Sequence, residues 1–203
     1  FESYVGGAHD ATSKGFYCTG FFNRKFLDAW ANLTGYGTML KVNHNFIIFR
    51  YAEILLSYAE ALNNLTTTHE VNGESYSRDE SAMAEAFNQV RYRAGLPGAE
   101  AAELANPGTF NELIQRERMV EFLHENRRYY DICRWGIFEE LEREPLTGLN
   151  VDAEKWEGFY SPTIISYRTI RERTFKSKYM FMPLHRDELR KVPSLDQNPG
   201  WEK

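Results

Sequence analysis

Cysteine is scarce in this chain, which has only Cys18 and Cys133 among its 203 residues. The two are far apart in sequence and lack the close spacing that zinc ligands usually show. A disulfide between them is compatible with the sequence, but two separate buried thiols are the simpler interpretation. Cysteine content therefore does not identify the compartment in which the protein works.

Long hydrophobic runs are also missing. No stretch approaches the roughly 18 apolar residues that a membrane-spanning helix needs. The sequence starts at Phe1 without a visible signal peptide, and we expect that processing removed an N-terminal segment or that the chain is a fragment. The formal net charge is −5 and no basic block is present, which argues against a nucleic-acid partner.

Familiar catalytic motifs are absent from the sequence. It contains no Walker loop, no dinucleotide-binding fingerprint, no G-x-S-x-G turn and no H-E-x-x-H pair. The five histidines are scattered, so their spacing indicates no metal site. We therefore predict no catalytic residues, no metal ligands and no cofactor. A calcium site built from isolated Asp, Asn and carbonyl oxygens would leave no trace in the spacing, so that alternative stays open.

Helical periodicity begins near residue 46. Tyr51, Leu55, Tyr58 and Leu62 recur at steps of four, three and four, which predicts one apolar face of a first helix. The rest of this helix has only a narrow polar stripe, which is typical of a helix packed on several sides.

Two further helices are predicted from their start signals. Ser77 with Glu80, and Thr109 with Glu112, have the spacing of capping boxes. The third helix would run to about residue 135, which is long for a globular protein, so we expect a break near Asn126.

The remaining sequence indicates loops with little β-structure. Residues 178–182 predict a short strand, and residues 186–191 predict a helical turn. The predicted fold class is mainly α, with TPR-like helical hairpins, loop-rich segments and minor short β. We divide the chain into a loop-rich segment at 1–45 that continues from an absent N-terminal region, a helical hairpin core at 46–135, and a loop-rich C-terminal segment at 136–203 packed on the helices, all in one domain.

Four segments, in order, resemble the C-terminal half of the SusD/RagB family. They are RYAEILL at 50–56 with YAEA at 58–61; NQVRYRAGLP at 88–97; ERMVEF at 117–122, continuing through RYYD at 128–131 and RWG at 134–136; and PL at 183–184 with EL at 188–189 and PSLDQNPGW at 193–201. Two positions depart from the family pattern: Asn126 replaces a usual glycine, and His185 replaces a common proline.

The resemblance implies a SusD-like, TPR-like protein of polysaccharide utilization. Such proteins are lipoproteins, anchored at an N-terminal cysteine on the extracellular face of the outer membrane. They cover a SusC-like TonB-dependent transporter and capture glycans, or sometimes peptides, for nutrient uptake. Neither Cys18 nor Cys133 is placed to carry the lipid, so we expect the anchor in the absent N-terminal region.

Three glutamates, Glu117, Glu121 and Glu125, are spaced to share one helical face, and a glycosidase would need two such carboxylates. Arginines surround them, however, and arginine–carboxylate pairs three residues apart are within side-chain reach. We predict ion pairs rather than catalysis: Arg118 with Glu121, Glu125 with Arg128, and Asp131 with Arg134. Glu53 and Glu60 are likewise predicted to pair with arginines during helix packing.

Carbohydrate binding requires exposed flat rings and nearby polar groups. The predicted loops offer Trp30, Tyr36, Trp156 and Tyr160 as ligand-binding candidates, although aromatic residues more often fill cores. The polar candidates are Asn32, Asn72 and Asp152. By resemblance, much of the family's glycan platform lies upstream of the first motif, so this chain is expected to carry only the edge of the site.

Three functional hypotheses follow from the sequence. The favoured one is non-catalytic glycan capture for import through the partner transporter. The alternative is a peptide-binding or protein–protein helical scaffold, which a continuous concave helical face would favour. A surface glycoside hydrolase using two carboxylates is the third, and release of reducing sugar would distinguish it.

Overall fold

The structure is a computed structural model that describes residues 3–7, 19–21, 23, 25–26, 45–165 and 176–201. The chain divides into two compact units. One unit spans Trp30–Arg128, and the other combines Phe1–Ala29 with Tyr129–Lys203. Within the described residues most secondary structure is helical, with a few short strands, so the predicted class of mainly α with minor β is confirmed. Most of the predicted segment 1–45, including Cys18, lies outside the described residues.

The described residues of the unit at Trp30–Arg128 form four helices and one small hairpin. In chain order its elements are α1 (Tyr51–Asn63), β1 (His69–Val71), β2 (Glu74–Tyr76), α2 (Glu80–Arg93), α3 (Ala101–Ala105) and α4 (Pro107–Glu121). The two strands are antiparallel, with His69 opposite Tyr76. Asn72 and Gly73 connect them with φ values of 54° and 83°, which is the backbone that a tight two-residue hairpin turn requires.

The starts of α2 and α4 correct the predicted caps. Asp79 caps α2, because its carboxylate accepts hydrogen bonds from the backbone N–H groups of Ser81 and Ala82. Asn106 caps α4 in the same way through Gly108 and Thr109, with Pro107 in the first turn. The predicted capping residues, Ser77 and Thr109, were therefore wrong. In both cases a nearer acceptor, followed by a good first turn, satisfies the free N–H groups.

The core of this unit lies where α1, α2 and α4 meet. Its fully enclosed side chains include Leu56, Met83, Phe87, Phe110 and Ile114. Phe87 and Phe110 pack edge to face, with ring centroids 5.3 Å apart. The predicted face of α1 was half right. Leu55 and Leu62 are buried, but Tyr51 and Tyr58 are exposed, and Leu56 and Ala59 complete the buried face instead.

A turn separates α4 from the next helix, α5 (Arg128–Arg134), which begins at the boundary between the units. His124 and Asn126 have φ values of 61° and 59° in this turn. The break predicted near Asn126 is confirmed. Its position also explains why glycine is usual there in the family pattern, since the left-handed region suits glycine and, less well, asparagine.

The second unit continues from α5 through short elements. They are α6 (Phe138–Arg143), β3 (Thr147–Leu149), α7 (Trp156–Phe159), β4 (Pro162–Ile164), a 3₁₀ turn (Ser177–Met180) and α8 (Arg186–Lys191). Strands β3 and β4 are antiparallel, with Gly148 opposite Thr163. The predicted helical turn at 186–191 is confirmed. The strand predicted at 178–182 was wrong, because most of that segment forms the 3₁₀ turn.

An early segment of the chain joins this small sheet. The N–H of Leu149 donates to the carbonyl of Thr19 at 2.9 Å. A Cβ atom at Gly148 would lie 2.7 Å from the same carbonyl oxygen, so only glycine allows this close approach.

The 3₁₀ turn anchors both α5 and the end of the chain. The Tyr129 hydroxyl donates to the carbonyl of Tyr179 at 2.9 Å, and the Cys133 thiol lies 3.6 Å from the carbonyl of Met180. The Trp201 indole N–H donates to the carbonyl of Phe181 at 2.9 Å, while the Lys178 ammonium lies 4.1 Å from the Trp201 ring centroid. These contacts hold the loop-rich end against short helical elements.

Candidate functional site

Two of the four predicted ligand-binding aromatics lie together at helix α7. Trp156 begins this single-turn helix and Tyr160 is its C-cap residue. Positions four apart on a helix face the same side, so both rings project from one surface. Lys155, before the helix, has an extended backbone, and β4 begins at Pro162. The single helical turn therefore has extended backbone close to each end.

The two rings form a perpendicular pair, which we call the aromatic corner. Their centroids are 5.3 Å apart and their planes meet at 83°. Trp156 is 54% exposed and Tyr160 is 52% exposed. Perpendicular rings do not make a flat platform. A ligand would instead stack on one ring and contact the edge of the other.

The aromatic corner rests on a buried aromatic layer. Phe159 is 1% exposed and packs 5.1 Å from Tyr160, ring centroid to ring centroid. On its other side Phe159 lies 5.5 Å from the ring of Tyr4. Its carbonyl accepts a hydrogen bond from the N–H of Asn150 at 3.0 Å. Packing of Phe159 therefore fixes the helical turn that carries the exposed rings.

Sequence reasoning did not identify Phe159 and Tyr4 as supports of the site. The available signal was the run Trp-Glu-Gly-Phe-Tyr at 156–160, in which one aromatic of three had to face inward. Tyr4 is remote in sequence, so its contribution depends on tertiary packing. Phe159 and Tyr4 pack in one hydrophobic cluster with Val151, Ala153 and Leu149.

Charged side chains flank the aromatic corner along the chain. Asp152, Glu154, Lys155 and Glu157 are all exposed. Within the part of the chain that the structure describes, no ion pair involves any of these four. Three carboxylates against one ammonium give the surroundings of the corner an acidic character.

The other predicted site residues are not brought to this corner. Trp30, Tyr36 and Asn32 lie outside the described residues. Asn72 lies in the β1–β2 turn of the other unit, where its positive φ gives it a structural use. Asp152 is exposed and lies four residues before Trp156. The role of these residues in ligand binding stays a prediction.

The glutamates that suggested a glycosidase are engaged by arginines. Arg50 bridges Glu121 and Glu125, donating from Nε to Glu125 at 2.8 Å and from Nη1 to Glu121. Arg93 also pairs with Glu121. The three carboxylates do not lie on one helix, because α4 ends at Glu121. The predicted role of these groups in ion pairs agrees with this geometry.

Further arginine–carboxylate pairs extend the same pattern. Arg91 pairs with Glu117 at 3.0 Å. Arg127 pairs with Glu53 at 3.0 Å, which confirms the predicted role of Glu53. The predicted pair of Arg134 with Asp131 is also confirmed, at 2.9 Å.

Electrostatics at Arg50 explain why this arginine stays charged. Burial alone would lower the pKa of the Arg50 guanidinium, but hydrogen bonds and charge attraction from Glu125 and Glu121 raise it above its ordinary value. Its guanidinium carbon also lies 4.7 Å from the Phe122 ring centroid, and Arg118 lies 5.0 Å from the same ring. This arrangement is a packed ionic cluster between helices, with cations on an aromatic ring.

The described residues contain neither a cluster of metal ligands nor a membrane-spanning helix. No group of three or more His, Cys, Asp or Glu side chains there could hold a metal ion. No helix among them is both long enough and apolar enough to cross a membrane.

Residues 2–201 match the model of the SusD family, so the chain belongs to that family. A curated SusD-like protein, P38 of Formosa agariphila, is 31% identical over 118 residues, which is 55% of this chain and 21% of that protein.

Solved structures agree with the family assignment. A SusD-like protein from Bacteroides fragilis is 31% identical, with a TM-score of 0.55 over 77% of this chain and 26% of that one. A SusD homolog from Bacteroides thetaiotaomicron shares the fold at 22% identity, with a TM-score of 0.52 over 81% of this chain and 30% of that one. The predicted TPR-like helical fold is confirmed by these structures. The chain spans less than a third of the length of each relative.

Proposed function

We propose that this protein captures glycans at the cell surface and that the aromatic corner contributes to the binding site. The observation that carries the proposal is the exposed pair Trp156 and Tyr160, held in place by buried Phe159, in a chain of the SusD family. The resemblance to this family implies glycan capture for import.

The chemistry of the corner suits a sugar ligand. The face of a pyranose ring presents C–H groups that lose water when they stack on an aromatic ring. Trp156 offers the larger ring, and the Tyr160 hydroxyl offers a hydrogen-bonding group to sugar hydroxyls. Because Phe159 fixes the turn, little side-chain freedom would be lost on binding.

Binding without turnover is the second part of the proposal. The carboxylates Glu117, Glu121 and Glu125 are engaged by arginines between packed helices. A general acid in a glycosidase needs a carboxyl that reaches the glycosidic oxygen, whereas these carboxylates are occupied by guanidinium groups. This supports a structural role for the three groups.

The family resemblance also carries the proposed setting. We infer that the whole protein is a lipoprotein on the extracellular face of the outer membrane. There it would deliver the glycan to a SusC-like TonB-dependent transporter.

Affinity gel electrophoresis of the 203-residue chain tests the proposal. The gels would contain one neutral polysaccharide each, and the bound polymer would be checked for shortening. We expect retardation by at least one polymer, a strong reduction in the W156A and Y160A variants, and no change in polymer length.

Tyr92→Ala is the matched control, because Tyr92 is also an exposed aromatic, at 63%, on helix α2. Equal loss of retardation in Y92A and W156A would contradict a role for the aromatic corner. Absence of retardation by every polymer would contradict glycan binding by this chain and by the aromatic corner, and shortening of the polymer would indicate a hydrolase.

One observation favours the alternative of a peptide-binding or protein–protein scaffold. Helix α1 exposes Tyr51, Ile54 and Tyr58, at 67%, 46% and 43%. Exposed apolar side chains at helical spacing are common where a protein partner binds. Crosslinking of a photoreactive residue placed at Tyr51 to a partner protein, combined with failure of glycan binding, would favour this alternative.

A further inference from the structure

The charges around the aromatic corner carry an inference about which glycans it accepts. We infer that the corner selects neutral glycans and rejects polyanionic ones, such as polymers rich in uronic acid or sulfate. The inference rests on the proposed function, since it concerns the ligand class of the same site.

Two glutamates lie close to Trp156 in the chain. Glu157 follows Trp156 directly, and Glu154 precedes it by two residues. Consecutive Cα atoms are about 3.8 Å apart, so both glutamates lie within about 7.6 Å of Trp156 along the backbone. This separation is comparable to the Debye length of about 8 Å at physiological ionic strength, so salt screens charges this close to Trp156 only in part.

The charges of Glu154 and Glu157 lack compensation among the described residues. Among the described residues, no ion pair or side-chain hydrogen bond engages Glu154 or Glu157, and both are exposed. Lys155 is the single cation in the stretch 152–157, against three carboxylates. An anionic sugar would meet more repulsion than attraction here, whereas a neutral ring would meet none.

Several arginines of this chain are already paired with carboxylates. Arg50, Arg91 and Arg127 are committed to carboxylates in the other unit. Recognition of uronate or sulfate groups in proteins usually depends on arginine or lysine that is able to form charge-assisted hydrogen bonds. The stretch that carries the corner has no arginine at 144–165.

The expected selectivity is the ratio of the affinities for a neutral ligand and for its anionic form. In water, two like charges about 8 Å apart reduce affinity by roughly twofold. Lys155 offsets one of the three carboxylates, so a charged ligand should bind about fourfold more weakly than its neutral form at low salt.

Matched polymers provide the test. The probes are dextran, amylopectin and galactomannan, each neutral and carboxymethylated, in affinity gels with the 203-residue chain at low and high salt. We expect retardation by a neutral polymer, retardation about fourfold weaker by its carboxymethylated form at low salt, and a smaller difference at high salt, because salt screens exposed charges.

Variants identify the origin of the selectivity. The double variant E154Q/E157Q should narrow the difference between neutral and carboxymethylated forms. The control E85Q/E112Q removes two exposed charges from α2 and α4 and should leave that difference unchanged. W156A should weaken retardation by the neutral polymer.

Each other outcome overturns the inference. If the two polymer forms retard the chain equally, or the carboxymethylated form retards it more, the proposed selectivity is wrong. If W156A abolishes that retardation, glycan capture still stands. If the difference persists in E154Q/E157Q or narrows equally in E85Q/E112Q, the carboxylates near the corner are not its cause. If no polymer in either form retards the chain, the proposed function fails and the inference fails with it.

Discussion

Arg50 donates a hydrogen bond from Nε to the Glu125 carboxylate at 2.8 Å, although 75 residues separate the two in the chain. The side chains of Glu125 and Glu121, both bound by Arg50, are only 4% and 10% exposed. The pairing therefore joins the start of α1 to the end of α4 and neutralises carboxylates that have little access to water.

Removal of this guanidinium should destabilise the protein. For Arg50→Ala we expect a decrease of about 2–4 kcal/mol in the free energy of unfolding, because carboxylates shielded from water lose a cation. The estimate is at the lower end because Arg50 itself is 22% exposed. Urea denaturation measures the change. Arg143→Ala is the control: it breaks an exposed pair with Glu139 and should cost about 0–1 kcal/mol. Equal effects would contradict this interpretation.

The core contact of Phe87 predicts a second effect. Phe87 is 0% exposed and packs on Phe110, so Phe87→Ala would leave a cavity. We expect destabilisation of about 3–5 kcal/mol. Phe49→Ala, at a side chain that is 59% exposed, should change stability by about 0.5 kcal/mol. Thermal and urea unfolding of both variants would check the contrast, and a small effect at Phe87 would show that the core can collapse around the cavity.

The turn at Asn126 predicts an inverted order of glycine and alanine. Asn126 has a φ of 59°, where alanine is strained and glycine is not. We expect Asn126→Gly to be more stable than Asn126→Ala by about 1 kcal/mol.

Gln89 supplies the matched comparison for this turn, because it is exposed inside helix α2. There alanine should be more stable than glycine by about 1 kcal/mol. Denaturant unfolding of the four variants gives both differences. The same order at both positions would rule out backbone conformation as the reason for Asn126.

The Cys133 thiol predicts a pH dependence. Burial raises the pKa of the Cys133 thiol above its ordinary value, more than its hydrogen bond with Tyr129 lowers it. Since the folded pKa is the higher one, the folded state favours the protonated thiol. The resulting stabilisation is fully present below the pKa of the unfolded thiol and is lost as pH rises through the folded pKa.

Alkylation by iodoacetamide would check this prediction in a Cys18→Ser background, where Cys133 is the single thiol. At pH 9 we expect slower reaction in the folded protein than in urea, because less thiolate is present and the side chain is less accessible. Equal rates in the two states would contradict the raised pKa.

Local signals in the sequence predicted local structure well. The bounds of α8 and the break near Asn126 followed from turn and helix preferences of adjacent residues. The caps of α2 and α4 were misplaced because several Ser, Thr, Asp and Asn residues near each start could all accept the free N–H groups. Spacing alone does not decide among them.

Long-range pairing was less accessible from the sequence. The spacing of Glu117, Glu121 and Glu125 indicated ion pairs, but not that Arg50 and Arg91 from other helices would supply the cations. Similarly, Trp156 and Tyr160 could be selected as exposed aromatics from their loop context, while their support by Tyr4 depends on a contact that no local pattern encodes. Tertiary packing decided which side of each helix was covered, as the exposed Tyr51 shows.

The order of the two units along the chain has a consequence for synthesis. Residues 30–128 form one unit without interruption, whereas the other needs both 1–29 and 129–203. The hydrogen bond from Leu149 to Thr19 therefore has to wait until the ribosome has made the whole of the intervening unit. Thr19 thus emerges from the ribosome well before the strand that it contacts. A pause in translation after residue 128 would leave residues 30–128 complete while the segment around Thr19 still lacks β3.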